Sequence, residues 1–351
     1  MPQLSATVLR LKKRVPLTIS RGTMTHNDIV WLRWREEGAE GWGEAVPFAI
    51  DAHPQKLDGL LAALELHRPW LEDSSAWSRH EVERRLWSAN APSALISAII
   101  QAMHDWAGKK LGQPVWRLLG LPRDGGPLTS VTVGISPPDA ARTRVRQWLE
   151  AGDVRAFKVK LGAPAGLDAD KAMFDAVRAA IPAGARTSVD ANGGWSLAGA
   201  REMATWLAAR GVDHLEQPLA VGQEHELAAL RDASPLPIFV DESCRTAADI
   251  ARLAGSIAGI NIKFMKCGGL DGALRLAHAA RAHGLRLLIG CYGQSALGNT
   301  CAATIGALAD YLDLDSHLNL EDDPFAGAAL REGRLVLSDG PGFGIHHAQS
   351  D

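Results

Sequence analysis

No stretch of the 351-residue chain approaches the roughly 20 consecutive apolar residues needed to span a bilayer. The opening Met1-Pro2-Gln3-Leu4 and its mixed continuation lack the long apolar core of a secretion signal. Charge of one sign is equally scarce: 37 Lys and Arg against 40 Asp and Glu leave a formal −3. Neither nucleic acid nor a membrane is therefore expected as a partner, and any electrostatic recognition must be local. Cysteine is sparse too. Cys244, Cys267, Cys291 and Cys301 lie far apart with no Cys-x-x-Cys pair, and read as reduced, cytoplasmic thiols packed as small hydrophobes near strand ends. The histidines, His26, His53, His104, His283, His317, His346 and His347 among them, show no metal-ligand spacing. A Gly-rich phosphate turn is also missing. Its place after the first strand of the repeating region is taken by Gly134-Ile135-Ser136-Pro137-Pro138, which argues against an open doubly wound sheet.

What is present is a change of texture near Gly125-Gly126-Pro127. Before it, residues 4–10 and 28–35 alternate as strands and Trp42-Gly43-Glu44-Ala45 continues a small antiparallel sheet. From 54 to 119 the pattern is helical, with Ala94, Leu95, Ala98, Ile99, Ala102 and Met103 on one apolar face until Gly112 and Pro114 break it. After it, strands are expected at 129–135, 155–160, 186–190, 212–216, 237–241, 259–263, 285–290 and 310–314, separated by Ala-, Leu- and Arg-rich helices. Eight such units at a pitch of roughly 25 residues predict a (β/α)8 barrel. The domain organisation read from this is an α+β N-terminal capping domain, 1–125, completed by 321–351, and a barrel domain, 126–320.

Asp190, Glu216 and Asp241 each end one of the short apolar runs, 26 and 25 residues apart. That interval is one βα unit, so the three carboxylates recur at the barrel mouth, where the C-terminal ends of the strands converge. Three acids meeting there repel one another unless a hard divalent cation neutralises them. Lys158 and Lys160, two apart on the second strand, share the inward face. Desolvation and like charge lower a lysine pKa and make a neutral amine available as a base. On the sixth strand, across the ring, stand Lys263 and, three residues on, Lys266.

A lysine on strand two, acids on strands three, four and five, and a lysine on strand six together resemble the muconate-lactonizing-enzyme subgroup of the enolase superfamily. The motifs that carry the likeness are Lys158-Val159-Lys160, Asp190-Ala191-Asn192, Glu216-Gln217-Pro218, Asp241-Glu242-Ser243 and Lys263 ahead of Gly268-Gly269. Asp105 through Gly120 resembles the closing stretch of the capping domain. The resemblance implies one Mg²⁺ per subunit, ligated by Asp190, Glu216 and Asp241 and stabilising an enediolate. It makes Lys160 and Lys263 the two acid/bases, with Lys266 in reserve, and has Lys158 modulating Lys160 at the substrate. Asn192 and Glu242 would orient the ligands.

The last strand supplies Asp313-Leu314-Asp315, both acids facing inward if the strand runs that far. This Asp-x-Asp looks like that of dipeptide epimerases, in which the pair holds the substrate's N-terminal ammonium. The expected reaction is two-base epimerisation at the α-carbon of the C-terminal residue of a dipeptide. Other members of the subgroup remain as alternatives, namely an o-succinylbenzoate synthase, a muconate cycloisomerase or an N-acylamino-acid racemase, as does a non-catalytic carboxylate-binding barrel. Strand seven departs from the relatives: Gly293-Gln294-Ser295 has Gln294 where a glutamate is common. Arg21, in the loop expected to close over the site, binds either an acidic side chain of the substrate or a protein carboxylate. A homo-oligomer is open to such a chain.

Overall fold

The computed structural model describes residues 1–50 and 54–347, so His53 and the last residues of the 321–351 segment lie outside the described residues. Strands β1 (Gln3–Ile19), β2 (Gly22–Glu36) and β3 (Ala39–Ala45) form an antiparallel sheet. Both long strands outrun the expected segments. Pro16, which cannot donate to the ladder, falls where the β1–β2 register shifts between Lys12 and Leu17. Pairing resumes beyond it as far as Ile19↔Gly22, so Ser20 and Arg21 form the tip of a long hairpin.

Helices α1 (Leu57–Leu71), α2 (Arg79–Ser88), α3 (Ser93–Leu111) and α4 (Val115–Leu118) follow. Helix α3 ends where Gly112 takes a left-handed φ of 64° and its N–H caps the final turn. The single apolar face expected for α3 is only part of the picture, because Ser93 through Gly108 are all buried. Gly41 and Gly43 allow β3 to lie directly on one side of the helix. A Cβ would stand 2.0 Å from the Ala102 carbonyl oxygen at Gly41 and 1.9 Å from that of Ala98 at Gly43. The other side, with Ile96 and Ile100, is covered by the barrel.

The barrel strands are β4 (Val131–Val133), β5 (Ala156–Lys160), β6 (Arg186–Asp190), β7 (Leu215–Glu216), β8 (Ile238–Val240), β9 (Gly259–Ile262), β10 (Arg286–Gly290) and β11 (Tyr311–Asp313). They are parallel and neighbour one another in chain order. The ring closes between the first and last strands through a parallel Thr129↔Leu312 bridge and the Ser130 N–H on the Leu312 carbonyl at 2.9 Å. Helices α5 (Pro138–Ala151), α6 (Leu167–Ala180), α7 (Leu197–Ala208), α8 (Leu227–Ala233), α9 (Ala247–Leu253), α10 (Phe264–Cys267), α11 (Leu270–Ala282) and α12 (Ala296–Ala303) alternate with them. The fold is a (β/α)8 barrel with an antiparallel N-terminal domain. No helix among the described residues is long and apolar enough to cross a membrane.

The segment after residue 320 serves both parts. Phe325–Ala326 pairs with His346–His347, and the His347 ring stacks on Trp31 at 5.1 Å, on the N-terminal sheet. The hairpin Ala329–Arg331 with Arg334–Val336 runs instead to the barrel's first strand, where the Gly333 carbonyl accepts from the Thr129 N–H at 2.9 Å.

Candidate active site

A cavity of about 580 Å³ lies between the β1–β2 hairpin and the mouth of the barrel. Leu17, Ile19, Val46, Phe48 and Ile135 give it an apolar wall, and Phe48 stacks on Tyr292 with ring centroids 4.8 Å apart. Four lysines converge beneath. Only Lys160 and Lys263 line the cavity; Lys158 and Lys266 do not. Lys160 ends β5 and Lys263 directly follows β9, the second and sixth strands, so the two amines approach from opposite sides of an eight-membered ring.

Asp190, Glu216 and Asp241 are fully buried at the ends of β6, β7 and β8. Each is turned onto an ammonium: Lys160 Nζ to Asp190 Oδ2 at 2.6 Å, Lys158 Nζ to Glu216 Oε2 at 2.6 Å, and Lys263 Nζ to Asp241 Oδ2 at 2.7 Å. Among the described residues no three acids or imidazoles stand gathered on one point. The residues nevertheless fit a hard cation. Glu216 Oε2 and Asp241 Oδ2 are buried and lack a hydrogen bond of acceptable direction despite their ammonium neighbours. Burial, and then the charges of Asp190 and Asp241, push the Glu216 carboxyl up to about 7, against the pull of Lys158. Carboxylate oxygens with no imidazole or thiolate partner are the donor set of Mg²⁺.

The strand ends are fixed by Asn261 and Gln217, which the sequence left without a role, together with Asn192, Glu242 and Arg21. Asn261, two residues before Lys263 and of the same strand parity, donates to Glu216 Oε1 at 2.7 Å. Gln217, at a left-handed φ of 37°, accepts the Asp241 and Ser243 N–H groups at 2.9 and 3.2 Å, tying the end of β7 to that of β8. Asn192 gives its backbone N–H to Asp190 Oδ1 at 2.7 Å and its side chain to Glu242 Oε1 at 3.3 Å. Arg21 reaches down from the hairpin tip to Glu242 Oε1 at 2.7 Å and the Asn192 carbonyl at 3.1 Å. Arg21 thus pairs with a protein carboxylate while also lining the cavity.

Lys158 is held between Glu216 and Asp313, 2.5 Å from Asp313 Oδ2. Burial lowers its pKa, but the two acids outweigh this and keep it well above the ordinary value. Lys266 is saturated: its Nζ donates to the Asp241 carbonyl at 2.5 Å, Asp241 Oδ1 at 2.6 Å, the Asn261 carbonyl at 2.9 Å and the Cys244 carbonyl at 3.1 Å. Strand alternation does not account for Asp315, since β11 ends at Asp313 and Asp315 opens a 3-10 turn at Ser316–Asn319. Both acids still line the cavity. Asp313 is satisfied by Lys158 and by the Ser130 hydroxyl at 2.8 Å. Asp315 accepts the Thr132 N–H at 2.6 Å, and burial followed by the charge of Asp313 raises its pKa to about 6. Gln294 accepts the Tyr292 N–H at 3.4 Å, and its neighbour Ser295 is bonded through N–H and hydroxyl to the buried Glu44 of β3.

The chain is similar to known proteins along nearly its whole length. Residues 4–120 match the N-terminal domain of the mandelate racemase/muconate lactonizing enzyme family, and residues 140–350 match the enolase C-terminal domain-like family. A hydrophobic dipeptide epimerase of Roseobacter litoralis is 45% identical over 341 residues, covering 96% of this chain and 97% of the relative. A second, from a Flavobacteria bacterium, is 40% identical over 343 residues, covering 96% and 95%. Among solved structures, the dipeptide epimerase of Enterococcus faecalis complexed with Mg and L-Leu-L-Tyr superposes with a TM-score of 0.90 at 29% identity, covering 98% of this chain and 99% of that one. The L-Ala-D/L-Glu epimerase of Bacillus subtilis, in a substrate-liganded complex, gives 0.91 at 25% identity, covering 98% of both chains.

Proposed function

Because this chain belongs to the mandelate racemase/muconate lactonizing enzyme family of the enolase superfamily, we propose that it is a dipeptide epimerase that inverts the α-carbon of the C-terminal residue. The observation that carries this is the selection among the four lysines that meet the strand-end acids: of these, Lys160 and Lys263 alone open into the cavity, from opposite sides. An α-carbon held between them meets one amine on each face, as a two-base inversion requires. One lysine takes the α-proton and the other returns a proton from the opposite side.

Asp190, Glu216 and Asp241 would hold one Mg²⁺ per chain, which when bound supplies positive charge against the substrate carboxylate and makes the α-proton more acidic. Asn261, Gln217 and Asn192 keep the three acids aimed at the mouth. Lys158 and Lys266 neutralise and brace the acids and touch no substrate. The apolar wall of Leu17, Ile19, Phe48 and Ile135 suits a hydrophobic side chain on the inverted residue, in keeping with the names of the two curated relatives. Of Asp313, which ends β11, and Asp315, which follows it, Asp315 has the freer charge and receives the substrate ammonium, while Asp313 serves mainly to hold Lys158. Four cysteines free of disulfides among the described residues fit a reducing, cytoplasmic compartment.

The test is incubation of L,L-dipeptides with the Mg²⁺-loaded enzyme in D₂O, followed by chiral chromatography and mass analysis. Formation of the L,D product, with one deuterium per inverted centre, is expected. If free dipeptides are inert while N-acylamino acids racemise, the reading fails in favour of a racemase on the same scaffold.

A further inference from the structure

The dipeptide reading accounts for the carboxylate end and the centre of the cavity, but not for the charge at its far end around Asp315. Lys13 of β1 and Arg144 of α5 both line the cavity there. Lys13 is 4% exposed and, among the described residues, its side chain has no hydrogen-bond or ion-pair partner; its electrostatic neighbours are Asp315 and the thiol of Cys291. Arg144 is held rigidly. Its guanidinium lies 3.9 Å from the ring centroid of Trp148, and one nitrogen donates to Asn319 Oδ1 at 2.8 Å. Trp148 is anchored on the Thr132 carbonyl at 2.8 Å, and Asn319 on the Val15 carbonyl at 2.8 Å and the Val15 N–H at 3.2 Å. Burial lowers the pKa of both cations, Arg144 to about 10, with Asp315 pulling the other way in each case.

Two desolvated cations thus share a single open carboxylate, because Asp313 is already taken by Lys158. An ammonium docking on Asp315 would add a third positive charge to this end unless the ligand brought an anion with it. The geometry points to a ligand that does so: we propose that Lys13 and Arg144 form an anion subsite that selects a dipeptide whose first residue is acidic, aspartate or glutamate. The side-chain carboxylate and the ammonium of such a residue spring from the same α-carbon, so one can face Asp315 while the other faces Lys13 and Arg144. A guanidinium fixed by a ring and an amide offers its remaining N–H groups to a carboxylate at little entropic cost. The proposal rests on the dipeptide reading and extends it from the inverted residue to its neighbour.

The experiment compares L-Glu-L-Leu with its isostere L-Gln-L-Leu, by kcat/KM for epimerisation and by calorimetric titration of the Mg²⁺-loaded protein. Wild type is expected to favour the glutamyl dipeptide by about ten- to a hundredfold, the range for a charge-assisted contact over a neutral one. In Lys13→Met and Arg144→Met the preference should fall to within about threefold, whereas Lys13→Arg, which keeps the charge, should retain most of it. The readout is a ratio on one protein sample, so partial misfolding of a variant cancels. Equal use of the two dipeptides by wild type, or a preference that survives both methionine variants, overturns the subsite while leaving the epimerase reading intact. If neither dipeptide turns over, the epimerase reading fails and calorimetry decides the subsite: tighter binding of the glutamyl form supports it, and equal or absent binding overturns it.

Discussion

Replacing Lys266 and Lys263 in turn by methionine separates a structural lysine from a catalytic one. The three N–H groups of the Lys266 ammonium are shared among four acceptors, Asp241 Oδ1 among them, in a site only 4% exposed. Methionine fills much of the same volume but leaves a buried carboxylate oxygen and three carbonyls without that donor. Removing one partner of a buried pair costs about 3–5 kcal/mol. With an unfolding entropy of about 2.1 cal/mol/K per residue, a chain of this length loses roughly 0.7 kcal/mol per degree at its midpoint. Lys266→Met should therefore lower Tm by about 4–7 °C, while its folded fraction still epimerises within about tenfold of wild type. Lys263 has one ion-pair partner, Asp241 Oδ2, and the Tyr292 ring 4.4 Å away. Lys263→Met leaves Asp241 neutralised by Lys266 and should shift Tm by less than half as much, yet lower epimerisation by about a thousandfold, within the range for a lost acid/base. Differential scanning fluorimetry and chiral chromatography supply the two readouts. A Lys266→Met protein as stable as wild type but inactive, or a Lys263→Met protein that still epimerises freely, would refute the assignment.

Glu44 gives a pH dependence. Burial, opposed by the Ser295 hydrogen bonds, raises its carboxyl from 4.5 to about 8, so the native state keeps a proton that the unfolded chain releases. The stabilisation is complete below the unfolded value and is lost as pH rises towards 8, at about 1.4 kcal/mol per pH unit for a single group. Glu44→Gln, which imitates the protonated acid, should flatten the fall of Tm between pH 5 and 8; an unchanged slope would show that another group is responsible. Gly43→Ala forces a methyl into the Ala98 carbonyl and is expected to destabilise by about 1–3 kcal/mol or more, read as a lower urea midpoint. If Asp315 receives the substrate ammonium, Asp315→Asn and N-acetylation of the dipeptide should each cost about ten- to a hundredfold in kcat/KM. The two losses should not multiply when combined, and full multiplication would place the ammonium elsewhere.

Much of the site was legible because it is written in local periodicities. Acids at intervals of one βα unit must return to the same level of the barrel, and two lysines two residues apart on a strand must share a face. The alternation that exposed Lys158 and Lys160 would have exposed Asn261 beside Lys263, had a neutral amide been weighed as a partner for Glu216. Periodicity alone did not tell which lysine of a pair opens into the cavity, because that depends on what packs against each amine; the family resemblance chose Lys160 and Lys263. Lys158 lies one level deeper than Lys160, between two acids. Lys266 begins no new strand position but sits in the short turn of α10, which folds its amine back beneath Asp241.

By itself, then, the sequence determined the barrel, the capping sheet and the three acids with their lysines, since strand length, helix length and side-chain parity repeat along the chain and need no knowledge of distant neighbours. Only the tertiary structure decided that α3 is buried on every side, because its second apolar face waits for the barrel to cover it. Only the tertiary structure set Asp315 into the cavity by a turn rather than a strand, satisfied Arg21 with Glu242, and brought Lys13 from residue 13 to the same end of the cavity as Arg144 and Asp315. Those contacts join segments more than a hundred residues apart. Their energies depend on burial and charge in three dimensions, which no one-dimensional pattern records.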